Sequence, residues 1–180
     1  NSDILKFDVE KKIKDRSIVF GNLPYNISSQ ILTKFIRFKS WPPKYKRLIF
    51  MFQKELGEKI LGEYSTSHYG RLSILTNYRL KILNKFLISS NCFYPKPKIT
   101  SMIISFFPIR NVFFKIKKIE NLEYISNVFF SKKRKMINKT IKDILSKEKI
   151  NEIKNLRLSS RPSDLKPEIY YKITQLYEKK

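Results

Sequence analysis

A chain of 180 residues with 38 Lys and Arg against 15 Asp and Glu carries a formal charge of +23. Such an excess points to a polyanionic partner, nucleic acid ahead of an anionic membrane surface, beside a plain compositional drift toward Lys, Ile and Asn. The single cysteine, Cys92, excludes an intrachain disulfide and suits a reducing compartment, one Cys with one His gives little basis for a metal site, and no apolar run reaches the roughly 18 residues that cross a bilayer.

In chain order, Lys11 to Arg16 is a basic lead-in to a short apolar run, Ser17 to Phe20, which reads as a buried strand end. A polar loop follows, and then Gln30 to Phe38 reads as a helix, with Ile31, Phe35 and Phe38 on one face and Ser28 or Ser29 at its cap. Trp41-Pro42-Pro43 stops it. Leu48 to Phe52 is continuously apolar, as expected of a buried parallel strand, and Gln53-Lys54-Glu55 at its carboxyl end reads as a polar helix start. Tyr64 to Tyr69 is a Ser/Thr-rich loop whose His68 is given no role. Gly70 to Asn77 reads as a short helix, Arg79 to Ser89 as a strand, and Thr100 to Phe107 as the last strand. The intervening loop, Asn91 to Lys98, holds two prolines that exclude it from a central strand, and Phe93 within it reads as a plug for the core beneath.

After Pro108 the pattern becomes helical. Leu122, Ile125 and Phe129 fit one helical face, and Ile137, Ile141, Ile144 and Leu145 another. Lys135, Lys139 and Lys142 fall on the opposite face at i, i+4, i+7; with Lys132, Lys133 and Arg134 they form a basic ridge, either solvated or set against a phosphate backbone. Ser163 or Asp164 is placed to cap a last helix to Tyr177. The expected organisation is an α/β domain over 1–109 and a small all-helical domain over 110–180.

The loop after the first strand, Asn22-Leu23-Pro24-Tyr25, carries the chemistry. By itself such a pattern is most often only a turn. Yet its place between a strand and a helix is where open α/β sheets bind ligands. An exocyclic amine on a nucleobase is a poor nucleophile, because its lone pair is delocalised into the ring. Two acceptors facing the amine hydrogens, the Asn22 side-chain oxygen and the Leu23 carbonyl, can draw that nitrogen toward a tetrahedral, reactive shape. Pro24 biases Leu23 toward an extended backbone that aims its carbonyl, and Tyr25 can stack on the base.

Asn22 to Ser29 resembles the catalytic loop of the KsgA family of small-subunit rRNA adenine dimethyltransferases. The resemblance continues through Gln53-Lys54-Glu55, Tyr69-Gly70-Arg71-Leu72-Ser73, Phe93-x-Pro95-x-Pro97-Lys98-Ile99-x-Ser101, Phe130-x-x-Lys133-Arg134-Lys135 and Arg161-Pro162, in the family's order over nearly the whole chain. It implies a partial Rossmann-like, S-adenosylmethionine-dependent methyltransferase domain ending in an antiparallel edge hairpin, followed by a small helical domain that binds RNA. It further implies that Tyr25 and Phe93 sandwich a flipped adenine, that Gln53-Lys54-Glu55 borders the cleft, and that Asp3 and Asn22 lie beside the cofactor. The family's glycine-rich cofactor loop belongs upstream of Asn1, so the chain reads as the portion beyond it. The implied partners are small-subunit rRNA and the assembling small subunit, met by a monomer in the cytoplasm or, alternatively, in a mitochondrion or plastid-type organelle. Two other readings remain open: a large-subunit rRNA adenine methyltransferase, and a non-catalytic RNA-binding or transcription factor on the same scaffold.

Overall fold

The computed structural model of the chain describes residues 2–179. Its elements run α1 (Val9–Lys12), β1 (Ile18–Asn22), α2 (Ser28–Ile36), β2 (Arg47–Gln53), α3 (Lys54–Leu61), α4 (Arg71–Arg79), β3 (Leu80–Ile88), β4 (Ser101–Pro108), α5 (Ile119–Phe130), α6 (Asn138–Lys142), α7 (Lys147–Asn151) and α8 (Pro167–Glu178). They divide into two compact units, Asn1–Leu61 with Arg79–Asn111, and Gly62–Tyr78 with Val112–Lys180.

The first unit holds a four-stranded mixed sheet in the order β1-β2-β4-β3. β1 and β2 are parallel, and β4 runs antiparallel to both β2 and β3, leaving β3 at the edge. The pairing Gly21↔Phe50, Phe50↔Ile104 and Phe52↔Met102 places these residues on one face. Both flanking helices of the unit settle there: Phe35 of α2 lies 5.4 Å from the Phe50 ring, and Gly57 of α3 rides so close to Met102 that an added Cβ would come within 2.7 Å of its sulfur. Phe50, Phe52, Ile104 and Phe106 are accordingly buried. Arg79 ties this core to the end of α2: its guanidinium donates to the Ile36 and Phe38 carbonyls at 2.5 and 2.8 Å and lies 4.6 Å over the Trp41 ring.

The opposite face corrects one expectation. Ile18 and Phe20, read from sequence as a buried strand end, are 49% and 72% exposed. They alternate with Val19 and Gly21, so they point away from α2 and α3, and β1 is an outer strand of the sheet. On the same face farther across the sheet, the Arg47 guanidinium stacks 4.7 Å over Phe107.

In the second unit the regular elements, among the described residues, are helices and one 3₁₀ turn. Leu122, Ile125 and Phe129 of α5 pack with Tyr170, Ile173 and Leu176 of α8, all fully buried, and the Phe129 and Tyr170 rings meet edge to face at 5.6 Å. Gly62–Tyr78 belongs here, not with the sheet that flanks it in sequence, because its aromatic side chains end in this core. The Tyr69 hydroxyl donates to the Leu165 carbonyl at 2.9 Å, the Tyr78 hydroxyl donates to the Phe114 carbonyl at 2.9 Å, and the Tyr171 hydroxyl donates to the Ile74 carbonyl at 3.1 Å. Two cap expectations also change. The N-cap of α2 is Ile27, and the Ser28 hydroxyl instead donates to the Tyr25 carbonyl at 3.0 Å. The N-cap of α8 is Lys166, while Asp164 accepts from the Arg161 amide at 3.1 Å and closes the preceding 3₁₀ turn.

Candidate active site

At the carboxyl ends of β1 and β2 the first unit opens into a cleft of about 400 Å³. Asn22, Leu23, Pro24 and Tyr25 line one side, Phe93, Tyr94, Pro95 and Pro97 another, and Met51 completes the lining. Residues about 70 positions apart in sequence therefore meet around one space.

Each wall has a local cause. Asn22 is the last residue of β1, paired with Met51, so the strand itself delivers its carboxamide to the cleft. That carboxamide is exposed and makes no side-chain hydrogen bond among the described residues. Leu23 turns back into the core, 8% exposed, folding over Gly21 and Phe50. A Cβ on residue 21 would lie 2.6 Å from Leu23 Cδ2 and 3.0 Å from the Phe50 ring, so a larger residue there would push the Leu23 side chain out of this position. The buried Leu23 side chain then anchors the peptide whose carbonyl is the second expected acceptor. Downstream, the Ile27 amide donates to the Pro24 carbonyl at 3.2 Å, and the Ser28 hydroxyl to the Tyr25 carbonyl, which binds the loop to the start of α2.

Tyr25 is tethered at its far end. Its hydroxyl lies 2.8 Å from the hydroxyl of fully buried Ser101, the first residue of β4. The Lys54 amide donates to the Thr100 carbonyl at 3.0 Å, which fixes that strand start against the start of α3. The opposing wall is braced by a 3₁₀ turn over Ser90–Cys92: the Ser89 hydroxyl accepts from the Asn91 amide, and the Phe93 amide donates to the Ser90 carbonyl. Phe93 is half-buried and lines the cleft, where Tyr25 also has its ring.

Of the residues singled out from sequence, Asn22, Leu23, Pro24, Tyr25 and Phe93 line one cleft. Asp3 is exposed, accepts from the Leu5 amide at 2.9 Å and is not among the lining residues. Lys132, Lys133, Arg134, Lys135, Lys139 and Lys142 lie in the second unit and are all exposed. They do not form the regular helical ridge expected of them. α6 spans only Asn138–Lys142, and Lys132 to Lys135 sit in the turn that follows α5, so the i, i+4, i+7 spacing does not describe one helix face. The Lys133 ammonium reaches the Ser67 carbonyl at 3.2 Å. Sequence reasoning gave no role to Met51, Tyr94 or Ser101. Met51 faces the cleft only through its register opposite Asn22, and Ser101 meets the Tyr25 hydroxyl behind it only through the antiparallel return of β4, neither of which local sequence encodes.

No group of three or more His, Cys, Asp or Glu is disposed to hold a metal among the described residues. A nucleoside cofactor of the methyl-donor class needs a glycine-rich turn whose amides approach it closely. The four glycines here, Gly21, Gly57, Gly62 and Gly70, all have negative φ, and two of them are packed against core side chains. These residues do not by themselves make such a cradle; what they offer a cofactor is limited to the Asn22 side of the cleft.

A family model described as ribosomal RNA adenine dimethylase matches residues 1–179. Among curated relatives, the chain is 42% identical over 180 residues to ribosomal RNA small subunit methyltransferase A of Pelagibacter ubique, covering 99% of this chain and 68% of that protein. It is 34% identical over 177 residues to the protein of the same name in Malacoplasma penetrans, covering 96% of this chain and 63% of that one. The chain thus spans about two thirds of the length of these relatives. Its fold is similar to the crystal structure of a dimethyladenosine transferase from Plasmodium falciparum, with TM-score 0.74 and 23% identity over 96% of this chain and 71% of that one. It is also similar to that of the 23S rRNA methyltransferase ErmE, with TM-score 0.70 and 17% identity over 99% and 71%.

Proposed function

Because the chain belongs to the ribosomal RNA adenine dimethylase family, we propose that its cleft takes an unstacked adenine of small-subunit rRNA and presents the exocyclic amine for methyl transfer. The observation that carries this reading is the meeting of the Asn22-to-Tyr25 loop with Phe93 around one cleft, with the Asn22 carboxamide facing it unengaged. The relatives' names favour the small subunit over the large one; the likeness to the 23S enzyme is one of fold.

The Asn22 side-chain oxygen and the Leu23 carbonyl accept the two amine hydrogens and hold the nitrogen lone pair toward the incoming methyl group. Tyr25, fixed by Ser101, stacks on one face of the ring and Phe93 on the other, each stack contributing about 1–3 kcal/mol. Extruding the base costs a few kcal/mol, which these contacts offset. When bound, the family's donor, S-adenosylmethionine, would supply an electrophilic methyl; this chain's own residues would orient the acceptor amine. Rate enhancement then comes from positioning and from fixed dipoles, with no covalent intermediate on the protein.

In this reading the exposed Lys132, Lys133, Arg134, Lys135, Lys139 and Lys142 neutralise RNA phosphates of the assembling small subunit, and the protein acts as a monomer, in the cytoplasm. No helix among the described residues is long and apolar enough to cross a membrane. The test is transfer of label from S-adenosylmethionine to small ribosomal subunits that lack the modification, followed by digestion of the RNA. Methylated adenosine is the expected product once the part of the relatives' length that lies beyond this chain is supplied. Asn22→Ala is expected to lower transfer roughly 10²- to 10³-fold with RNA affinity nearly unchanged. Equal loss of transfer and affinity would remove the role given to Asn22, and RNA binding with no transfer, even with the rest of the relatives' length restored, would favour the non-catalytic factor.

A further inference from the structure

Two aromatic rings suffice to bracket one base, yet the cleft has three. Tyr25 is held by Ser101, and Phe93 is half-buried. Tyr94 also lines the cleft, but its side chain is fully exposed, so no packing of the chain on itself accounts for it. The backbone that carries it is set in advance. Ser89 and Ser90 hold the turn before it through the Asn91, Cys92 and Phe93 amides, and Pro95 and Pro97 fix φ on the far side. The backbone under the ring is thus ordered before anything binds, and only the Tyr94 rotamer remains to be fixed on stacking. Lys96 and Lys98, both exposed, follow on the same loop and place positive charge where the backbone of a bound strand would pass.

We propose that Tyr94 is a second stacking platform, which receives the nucleobase adjacent to the target adenine. This rests on the reading of the cleft as an adenine site and deepens it: the ligand is an unpaired stretch of at least two nucleotides, one base inside between Tyr25 and Phe93, its neighbour outside on Tyr94. Stacking is indifferent to base identity, so Tyr94 selects for an unpaired neighbour and not for its sequence.

The experiment uses the full chain and a short RNA hairpin whose loop carries 2-aminopurine at the target position or at either neighbouring position. The unaltered chain is expected to quench the fluorophore at the target and at one neighbour. Tyr94→Ala should abolish quenching at the neighbour, retain it at the target, and weaken RNA binding about tenfold; Tyr94→Phe should behave as the unaltered chain. An abasic neighbour should weaken binding to the unaltered chain by the same factor and leave Tyr94→Ala unaffected. Quenching at the target but at neither neighbour, or neighbour quenching that survives Tyr94→Ala, overturns the platform. A neighbour quenched through Tyr94 with the target still bright supports the platform and overturns the cleft as the adenine site. Failure at both positions overturns both.

Discussion

At the residue scale, the site depends on side chains that do no chemistry. Gly21 leaves room for the Leu23 side chain to fold back toward the Phe50 ring, and Leu23 is buried there. Ser101 is there for Tyr25. A hydroxyl–hydroxyl bond of this kind contributes about 1 kcal/mol, enough to bias the ring toward one orientation. Ser101→Ala and Tyr25→Phe each remove the same bond. Each is expected to raise KM for RNA about fivefold, the equivalent of about 1 kcal/mol, while kcat falls less. The double variant should be no worse than either single one, since the two share one interaction. Fully additive losses in KM would show that Ser101 acts on something other than Tyr25. Asn22 was legible from its neighbours in sequence. Ser101 and Met51 were not, because their part in the site comes from cross-strand pairing with residues far away in the chain.

At the element scale, α8 shows how the second unit is held. Tyr170 and Tyr171 sit side by side on it, yet both hydroxyls are buried and satisfied, Tyr170 donating to the Pro162 carbonyl at 2.7 Å and Tyr171 to the Ile74 carbonyl. Burial pushes both phenols well above their usual range, and Tyr69 likewise. A raised folded-state pKa stabilises below the unfolded value and loses that contribution as pH rises past it. The unfolded chain releases phenolic protons from about pH 10, while the folded unit keeps them. The phenols' contribution should therefore be constant below about pH 10 and be lost above it, and the buried phenols should ionise only as the helical signal disappears. Absorbance at the phenolate band, followed together with circular dichroism, measures this. Complete ionisation near pH 10 with helicity intact would contradict the burial of these rings. Tyr170→Phe leaves the Pro162 carbonyl without its donor and is expected to cost about 1–3 kcal/mol.

At the scale of the whole molecule, the excess of positive charge is the property most directly tied to a polyanionic partner. The basic residues of the turn after α5 are all exposed, so meeting a phosphate there takes little desolvation of buried groups. Replacing Lys132, Lys133, Arg134 and Lys135 by alanine should weaken RNA binding at low salt. It should also flatten the dependence of log K on log salt by about 0.7–0.9 for each phosphate that is no longer neutralised. An unchanged slope would mean that these residues are solvated surface. This charge cluster was visible in sequence, but its shape was not. The lysine spacing suggested one helix face, whereas the chain turns at Lys132 to Lys135 and α6 is only a short segment beyond it.

Local sequence determined a good deal. Apolar runs and turn chemistry marked all four strands and α2 and α4 to within a few residues and one face of α5, and the Asn22-to-Ser29 loop with its downstream motifs identified the family. These are properties of contiguous residues, and propensity and periodicity act at that range. What only the tertiary structure decided is long-range. It set β4 between β2 and β3, and so brought Ser101 to Tyr25. It put α2 and α3 on the same face of the sheet, and so left Ile18 and Phe20 exposed although their strand reads as apolar. It drew Gly62–Tyr78 into the helical unit, because the partners that satisfy Tyr69 and Tyr78 lie beyond residue 111. Which face of a strand is covered, and where a buried hydroxyl finds its acceptor, depends on residues distant in the chain, and no local pattern encodes it.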